Sequence, residues 1–392
     1  MRRLVLLACA IVLVDTMFYA AITPLLPHYA DDLHLSKSAA GILSASYAAG
    51  TLIASIPAGW FAARAGVKPA VLLGLGLMAV SSVAFGFGHH VVLLDVTRFV
   101  QGIGGALSWA GTLAWMIGEA PSRRGELIGT ALGAAIFGAL LGPVLGAAAV
   151  WLGPEAVFSG VAVLGVVLIV WTLRVPAAEP SSEPHPSSLL RALRRGRMGA
   201  GLWLTVLPAI EFSMLAVLAP LHMDDLGASS ALIGGVFVAA AAISAVLNPF
   251  IGRISDRRGR LLPIRACLIG SVVLAGLLPW PQSLALFIVV LLLADPIFGA
   301  AYTPAGAILS EEAESAGLDQ ALAFGLFNMA WGVGQLTGAG AGAALAQATS
   351  DRVAYLVLAA LALATLVALV RFTGARRATA SAAGARGYDP AP

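Results

Sequence analysis

The chain has 392 residues, of which 59% are hydrophobic and 11% charged, and its mean hydropathy is +0.91. Soluble domains carry about 25% charged residues, so this composition excludes a soluble globular protein. The net charge of +3 is small and the basic residues follow membrane topology, so it does not indicate nucleic-acid binding.

The sequence contains no sign of an enzyme, a cofactor or a metal centre. Cys9 and Cys267 lie in separate apolar segments and are interpreted as small buried hydrophobic residues, not as a disulfide or metal ligands. No glycine-rich nucleotide loop ending in Gly-Lys-Ser/Thr occurs, which favours an ion gradient over ATP as the energy source.

Apolar stretches long enough to cross hydrocarbon as a helix recur along nearly the whole chain. The sequence predicts twelve spans, at 4–28, 37–61, 69–88, 91–117, 127–151, 154–174, 200–222, 231–252, 262–280, 283–308, 319–346 and 352–371. Because they leave almost nothing for a soluble catalytic domain, the predicted fold class is an all-α membrane protein.

The basic residues predict the orientation of these spans. Twenty of them fall on one side of a twelve-span arrangement, whereas only Lys37 and Arg352 fall in loops on the other side. Lysine and arginine favour the cytoplasmic side, so both termini are predicted to be cytoplasmic in a multi-pass protein of the cell (inner) membrane. The first span contains Asp15 and is too long for a signal peptide, so it is interpreted as an uncleaved helix.

Asp15 lies in the middle of span 1, nine residues before Pro24. A carboxylate inside a membrane helix costs ~3 kcal/mol on insertion scales and is rarely present without a use. Burial disfavours its charge, so a proton or a cation is needed to neutralise it. Competition between a proton and a cationic substrate for Asp15 would be sufficient for antiport. The alternative is a structural carboxylate satisfied by Arg98 or a hydroxyl.

Arg98 in span 4 is the only arginine or lysine that lies more than a few residues inside a span, and it needs a partner. Asp95, three residues earlier, is the nearest in sequence, and Asp15 or Glu211 could reach it across helices. The alternative role is an Asp95–Arg98 pair that only orients span 4.

Span 5 contains the run GALLGPVLG, in which glycine recurs every fourth residue around Pro143. Glycines at that spacing form a flat helix face for close packing, and proline bends the helix. The residues are Gly138, Gly142, Pro143 and Gly146.

A proline- and serine-rich segment with a basic end, 175–199, predicts a cytoplasmic linker between an N-terminal half, 1–174, and a C-terminal half, 200–372. Its arginines would face anionic lipid headgroups. The tail 373–392 is rich in alanine, glycine and arginine and is predicted to be disordered.

Two further acids lie in spans of the second half. Glu211 stands nine residues before Pro220, as Asp15 stands before its proline, and Asp295 precedes Pro296 in a helix that is expected to bend. Both are candidate proton carriers, with a buried structural hydrogen bond as the alternative. Aromatic and polar residues of spans 1, 4 and 11 could line a pocket for a cation; they are Tyr19, Trp109, Asn328 and Trp331.

The two halves repeat. Three residues of the loop after span 2, Gly59, Arg64 and Gly66, reappear 193 positions later as Gly252, Arg257 and Gly259. Acids in matching helices of matching halves predict a paired-repeat transporter with a titratable site between its halves.

These loops, GWFAARAGVKP and GRISDRRGRLLP, resemble the G-x-x-x-D-R-x-G-R-[RK] loop of the major facilitator superfamily. The run RFVQGIGGA in span 4 extends the resemblance, and GALLGPVLG resembles that superfamily's antiporter motif. Among members, the chain is most similar to drug:proton antiporters, namely vesicular monoamine transporters and related bacterial multidrug exporters.

The resemblance implies twelve helices in two pseudo-symmetric halves, with the glycine- and arginine-rich loops and Asp256 acting in gating. It also implies that Asp15 pairs with a substrate amine and that Asp295 takes part in proton coupling. Two departures are Ala63, where the family places an acid in the first loop, and Asn328, where it places an acid in span 11.

The sequence therefore predicts a monomeric proton-coupled transporter that exports small organic, cationic or amphipathic compounds by alternating access. Its partners would be that small molecule, protons and membrane lipid. A proton-coupled importer of a sugar or other metabolite is the first alternative. A non-transporting membrane receptor or scaffold is the second.

Overall fold

The computed structural model describes residues 2–119, 124–176, 196–315 and 320–386, and this part of the chain contains helices and turns but no strand. Twelve helical rods follow one another: α1 (Arg2–Ala20 and Leu26–Asp32), α2 (Lys37–Ala65), α3 (Val67–Gly86), α4 (Val91–Glu119), α5 (Arg124–Leu152), α6 (Pro154–Arg174), α7 (Gly196–Asp225), α8 (Ser230–Arg258), α9 (Leu261–Leu277), α10 (Leu284–Ala300 and Tyr302–Ser315), α11 (Gln320–Leu336, then Ala343–Ala348) and α12 (Asp351–Arg386).

Ten of the rods are long and apolar enough over a continuous stretch to cross a membrane. Of the other two, α9 is a shorter apolar helix, and α11 is divided by a π-helical turn at Thr337–Gly342. The all-helical fold class is confirmed. The helix α12 continues to Arg386, inside the stretch that the sequence predicts to be disordered, where alanine favours helix. Most of the predicted linker lies outside the described residues.

Turn chemistry is repeated between the halves. The side chains of Ser36 and Ser229 accept hydrogen bonds from backbone N–H groups three residues later and so cap α2 and α8. Gly66 ends α2 with a φ of 98°, and Gly259 ends α8 with a φ of 86°. Only glycine adopts such angles at little cost, which explains its presence at both turns.

Prolines break two of the rods. In α1, Pro24 lies in a 3-10 turn, Thr23–Leu25, between the two helical segments. In α10 the first segment ends at Ala300, and Pro304 follows in the first turn of the next segment. Proline lacks the N–H group that continues a helix, so both breaks follow from the sequence.

Packing of the rods reproduces the repeat. In the first half (α1–α6), α1 packs on α5, α2 on α4, and α3 on α6. In the second half (α7–α12) the equivalent pairs are α7 on α11, α8 on α10, and α9 on α12. The two halves meet where α2 packs against α11 and where α5 packs against α8.

At the end of the bundle away from the chain termini, one side of α2 is tied to the second half. The Lys37 ammonium donates to both carboxylate oxygens of Asp351, at 2.8 and 2.9 Å. The backbone N–H of Ser38 donates to Gln347 at 2.7 Å, and Gly41 lies directly against the backbone of Ala339. We call the first of these contacts the Lys37–Asp351 latch. The halves are therefore in contact at this end.

Candidate functional site

The carboxylate of Asp15 is buried, with 2% of the residue exposed, and both of its oxygens accept hydrogen bonds. The Tyr47 hydroxyl of α2 lies 3.0 Å from each oxygen, and the Trp109 indole N–H of α4 donates to Oδ2 at 2.8 Å. Among the described residues, no basic side chain lies within 4.0 Å of this carboxylate. Asp15 is thus held by two neutral donors and has no ion-pair partner in the described part of the chain.

Gly105 of α4 makes room for this arrangement. A Cβ atom at that position would overlap the Tyr47 hydroxyl and lie 2.9 Å from Oδ1 of Asp15. Any side chain there would displace the hydroxyl from the carboxylate. The hydrogen bond between Tyr47 and Asp15 therefore requires glycine at position 105.

Arg98 is almost fully buried, with 1% of the residue exposed, and in the described structure it forms no ion pair with Asp95, Asp15 or Glu211, the three partners that the sequence suggests. Its guanidinium donates to the carbonyl of Phe18 at 3.4 Å, to the carbonyl of Tyr19 at 3.2 Å and to Gln101 Oε1 at 3.3 Å. Those carbonyls belong to the last turn of α1 before its break, where acceptors lose helical partners and a cation is favoured. Asp95 faces Ser46 of α2 instead.

Tyr19 connects the Asp15 surroundings to the second half. Its ring lies 4.9 Å from the ring of Tyr47 and 5.4 Å from the ring of Trp331 on α11. Its hydroxyl donates to Gln335 Oε1 at 2.9 Å. Asn328, one turn before Trp331, is partly buried, and its side chain forms no hydrogen bond in the described part of the chain. Four of the five predicted substrate-binding residues therefore lie together, and Asn328 is on the adjoining turn.

Glu211 of α7 has separate surroundings. It is 2% exposed, and its Oε2 accepts a hydrogen bond from the Ser271 hydroxyl of α9 at 3.0 Å. Within the described ranges, its buried Oε1 atom and the buried hydroxyl of Tyr302 on α10 have no partner. Tyr302 is close enough to interact electrostatically with both Tyr19 and Glu211, so it lies between the two acidic sites.

Asp295, the third predicted acid, lies in the first segment of α10 and is 5% exposed. It forms no hydrogen bond or ion pair with the residues that the structure describes. The structure thus places Asp15, Glu211 and Asp295 in three distinct environments. Over the described ranges, no three His, Cys, Asp or Glu side chains are grouped so as to hold a metal ion.

The family profile described as Major Facilitator Superfamily matches residues 8–318 and, in a second alignment, 201–390. This chain belongs to the Major Facilitator Superfamily. It is accordingly a multi-pass secondary transporter in a membrane that moves a small molecule, and the family implies no enzymatic activity.

Similar proteins include two named "Uncharacterized MFS-type transporter YcaD", from Shigella flexneri and from Escherichia coli O139:H28. Each is 27% identical over 398 residues, covering 95% of this chain and 96% of the relative. Among solved structures, the nucleoside transporter NupG matches with a TM-score of 0.76 at 12% identity, over 94% of this chain and 99% of that one. A D-xylose-proton symporter matches with a TM-score of 0.71 at 18% identity, over 93% and 96%. At these identities the structures show the fold alone.

In this major facilitator chain, the glycines of the run in α5 lie against α1. A Cβ at Gly138 would come within 3.0 Å of the Met17 nitrogen, one at Gly142 within 2.8 Å of the Met17 carbonyl, and one at Gly146 within 2.6 Å of Pro24. The predicted flat face therefore packs on the helix that carries Asp15, along the turns that follow it. Pro143 lies at the other helix interface, where its carbonyl faces Gly234 of α8.

The second half repeats this packing 196 residues later. Gly334 lies against Ala209, Gly338 against Ser213 and Gly342 against Met214, all on α7. Ala209 precedes Glu211 and Ser213 and Met214 follow it, so α11 contacts α7 on both sides of this acid. Each half therefore places a buried acid on a helix that is packed closely against a glycine face.

The loop residues predicted for gating have varied surroundings. Gly66 and Gly259 form their turns, Arg64 stacks on Trp60 at 3.7 Å, and the space around Gly59 is open. Gly252 and Arg257 lie in the last turns of α8, and Arg257 is exposed. The side chains of Asp256 and Ala63 lie outside the described part of the structure.

Sequence reasoning missed Tyr47, Gly105 and Ser271, which contact the two acids from other helices. A signal was present for Tyr47, because a tyrosine in an apolar span has a hydroxyl that needs a partner. Gly105 lies in the run RFVQGIGGA, but the sequence does not show that its missing side chain is needed beside Asp15. Nothing local distinguishes Ser271 from other serines in spans.

Proposed function

We propose that this transporter exports small organic cations or amphipathic amines in exchange for protons. The observation that carries the proposal is the buried Asp15 carboxylate, which accepts hydrogen bonds from two neutral donors and forms no ion pair within the described residues, so that Arg98 acts on it only from a distance. An ionised group in a low-dielectric interior requires compensation, and either a proton or a substrate cation supplies it. Because only one of them can occupy the carboxylate at a time, loading one releases the other.

The surroundings of Asp15 support a cationic substrate. Four aromatic residues form a connected group that begins at the carboxylate. Tyr47 and Trp109 bind it, Tyr19 packs on Tyr47, and Trp331 packs on Tyr19. All except Tyr47 remain partly accessible. An aromatic face attracts a desolvated cation by ~1–2 kcal/mol. The site includes residues from both halves, so substrate binding can bias the contact between them.

We assign the protons that drive transport to Glu211 and Asp295, with Arg98 shaping the field around Asp15. Both acids are buried and lack a basic partner within the described residues. Glu211 occupies the position in the second half that Asp15 occupies in the first. The loops around Gly59 and Gly252 and the glycine face of α5 are proposed to gate the pathway and to prevent leak. We place both termini in the cytoplasm and the active unit as a monomer.

The test is uptake of ethidium into everted membrane vesicles that carry an imposed proton gradient. Asp15→Asn keeps the shape of the side chain and removes its charge, so accumulation should fall to the level of empty vesicles. The matched control is Asp32→Asn, which removes a mostly exposed carboxylate of the same helix and should leave uptake within about twofold. Near-normal ethidium uptake by Asp15→Asn would refute the assignment.

The pH dependence has a defined sign. If protons and the cation compete, the apparent affinity for ethidium must weaken as pH falls, because protonation removes the negative charge that holds the cation. Glu211→Gln or Asp295→Asn should abolish gradient-driven accumulation while equilibrium binding persists. If both variants accumulate ethidium like the wild type, neither acid carries the coupling proton. Accumulation in the same direction as proton flow would instead favour an importer.

A further inference from the structure

One side of α8 faces away from the first half. Gly234 of α8 packs against Pro143 and Ala147 of α5. A helix turns by about 100° per residue, so the positions twelve, sixteen and twenty residues further on lie roughly 120°, 160° and 200° around the helix from that contact. Val246, Phe250 and Ile254 occupy those positions.

These apolar side chains are 64%, 54% and 42% exposed, and Ile243, a turn earlier on the same side, is 42% exposed. In a membrane-spanning helix, apolar side chains that are this exposed are directed at lipid chains. We call these four residues the α8 stripe.

Three arginines lie at the end of the α8 stripe nearest the chain termini: Arg253, Arg257 and Arg258. All three are exposed, and the Arg253 guanidinium lies 5.7 Å from the centre of the Phe250 ring. None of the three forms an ion pair or a hydrogen bond with the described residues. By contrast, Arg260, two residues further on, donates to the Glu311 carboxylate at 2.9 Å.

A cavity of about 360 Å³ is lined by these three arginines together with Phe250 and Ile254. The lining consists of the three arginines and two members of the α8 stripe, so the stripe continues from the cavity along the helix. A ligand that matches this surface has an anionic head and a long apolar tail.

We propose that this cavity binds the phosphate headgroup of an anionic phospholipid, with an acyl chain lying along the α8 stripe. Guanidinium groups bind phosphate oxygens in pairs of parallel hydrogen bonds, and basic pockets beside membrane helices favour anionic headgroups. A soluble phosphate could reach the arginines but would leave the stripe without an occupant. The bound lipid would hold the turn between α8 and α9, which contains Gly259.

The experiment measures lipid binding to the purified full chain by native mass spectrometry, with dioleoyl phosphatidylglycerol and dioleoyl phosphatidylcholine as probes. These lipids share acyl chains and differ in headgroup charge. The wild-type chain should retain phosphatidylglycerol selectively. Replacement of all three arginines by glutamine should weaken the binding of phosphatidylglycerol roughly 100-fold. Each basic residue near a membrane surface contributes about fivefold to the affinity for an anionic lipid, and the three factors multiply.

A charge-matched control replaces Arg2, Arg3 and Arg174, three exposed arginines at the same end of the bundle, by glutamine. It should change phosphatidylglycerol binding by less than about threefold, because those residues do not line the cavity. Lysine at positions 253, 257 and 258 keeps the charge without the planar fork and should give intermediate binding.

Three results would overturn the proposal. Equal losses in the two glutamine variants would show that only net charge matters. Equal retention of phosphatidylglycerol and phosphatidylcholine by the wild-type chain would refute a site for anionic headgroups. This second test needs no variant, so it holds even if a substituted chain fails to fold. Displacement of the lipid by millimolar glycerol 3-phosphate would show that a soluble anion is sufficient.

Discussion

The Lys37–Asp351 latch provides the sharpest test of how the halves are held together. It joins the start of α2 to the start of α12 and is an ion pair between the two halves. Lys37→Gln removes the ammonium and leaves Asp351 partly buried without its partner. We expect the protein to shift toward the conformation that is open at this end.

The size of the shift follows from the geometry of the latch. The ammonium contacts both oxygens, and the side chains are 35% and 20% exposed. Fully exposed pairs contribute up to about 1 kcal/mol and breaking a fully buried pair costs about 3–5 kcal/mol. A half-buried pair with two short contacts should therefore contribute about 1–2 kcal/mol, which changes the ratio of the two conformations by roughly 5- to 30-fold.

The assay is pulsed electron paramagnetic resonance between spin labels on the α1–α2 and α11–α12 loops, which reports the two separations as populations. Exchanging the charges, Lys37→Asp with Asp351→Lys, should restore much of the wild-type distribution. The control is Asp32→Asn, which removes a contact of 3.3 Å with His28 inside the first half and should leave the populations unchanged. The reasoning is refuted if Lys37→Gln changes them by less than twofold, or if Asp32→Asn changes them equally.

The two remaining predictions concern glycines. Gly105→Ala should weaken cation binding about 10- to 100-fold, because the new methyl group displaces the Tyr47 hydroxyl from Asp15 and a hydrogen bond to a charged group is worth about 1.5–3 kcal/mol. Isothermal calorimetry measures the affinity. The control is Gly118→Ala on the same helix, which has open space around it and should leave the affinity unchanged. Gly142→Val should lower the thermal unfolding temperature and abolish the exchange of cation for proton, because α5 could no longer approach α1. The control is Gly133→Val, which has nothing within 4 Å and should keep the wild-type unfolding temperature and transport. A normal unfolding temperature for Gly142→Val would contradict the packing, as would unchanged affinity for Gly105→Ala.

The sequence alone predicted the twelve helices, the two repeated sets of loops and the unusual acids. Each of these is a local property. A span is set by the transfer of its own side chains into hydrocarbon, and a glycine turn is set by its own backbone angle. The positions of Asp15, Glu211 and Asp295 stand out because a charge inside an apolar run is costly wherever it is placed.

The tertiary structure decided what those acids touch. Tyr47 and Trp109 are 32 and 94 residues from Asp15, and a hydrogen bond to it requires the right rotation of three packed helices. Arg98 illustrates the limit of sequence spacing, because its neighbour Asp95 points elsewhere while carbonyls of α1 lie within reach.

The same limit applies to the contacts between halves, such as the latch, whose residues are 314 positions apart. In a membrane helix the lipid-facing and protein-facing sides are both apolar, so the sequence carries little signal of which side turns inward. Helix rotation is fixed only when small residues meet a neighbour, as the glycines of α5 meet α1, and that matching is a property of the packed chain.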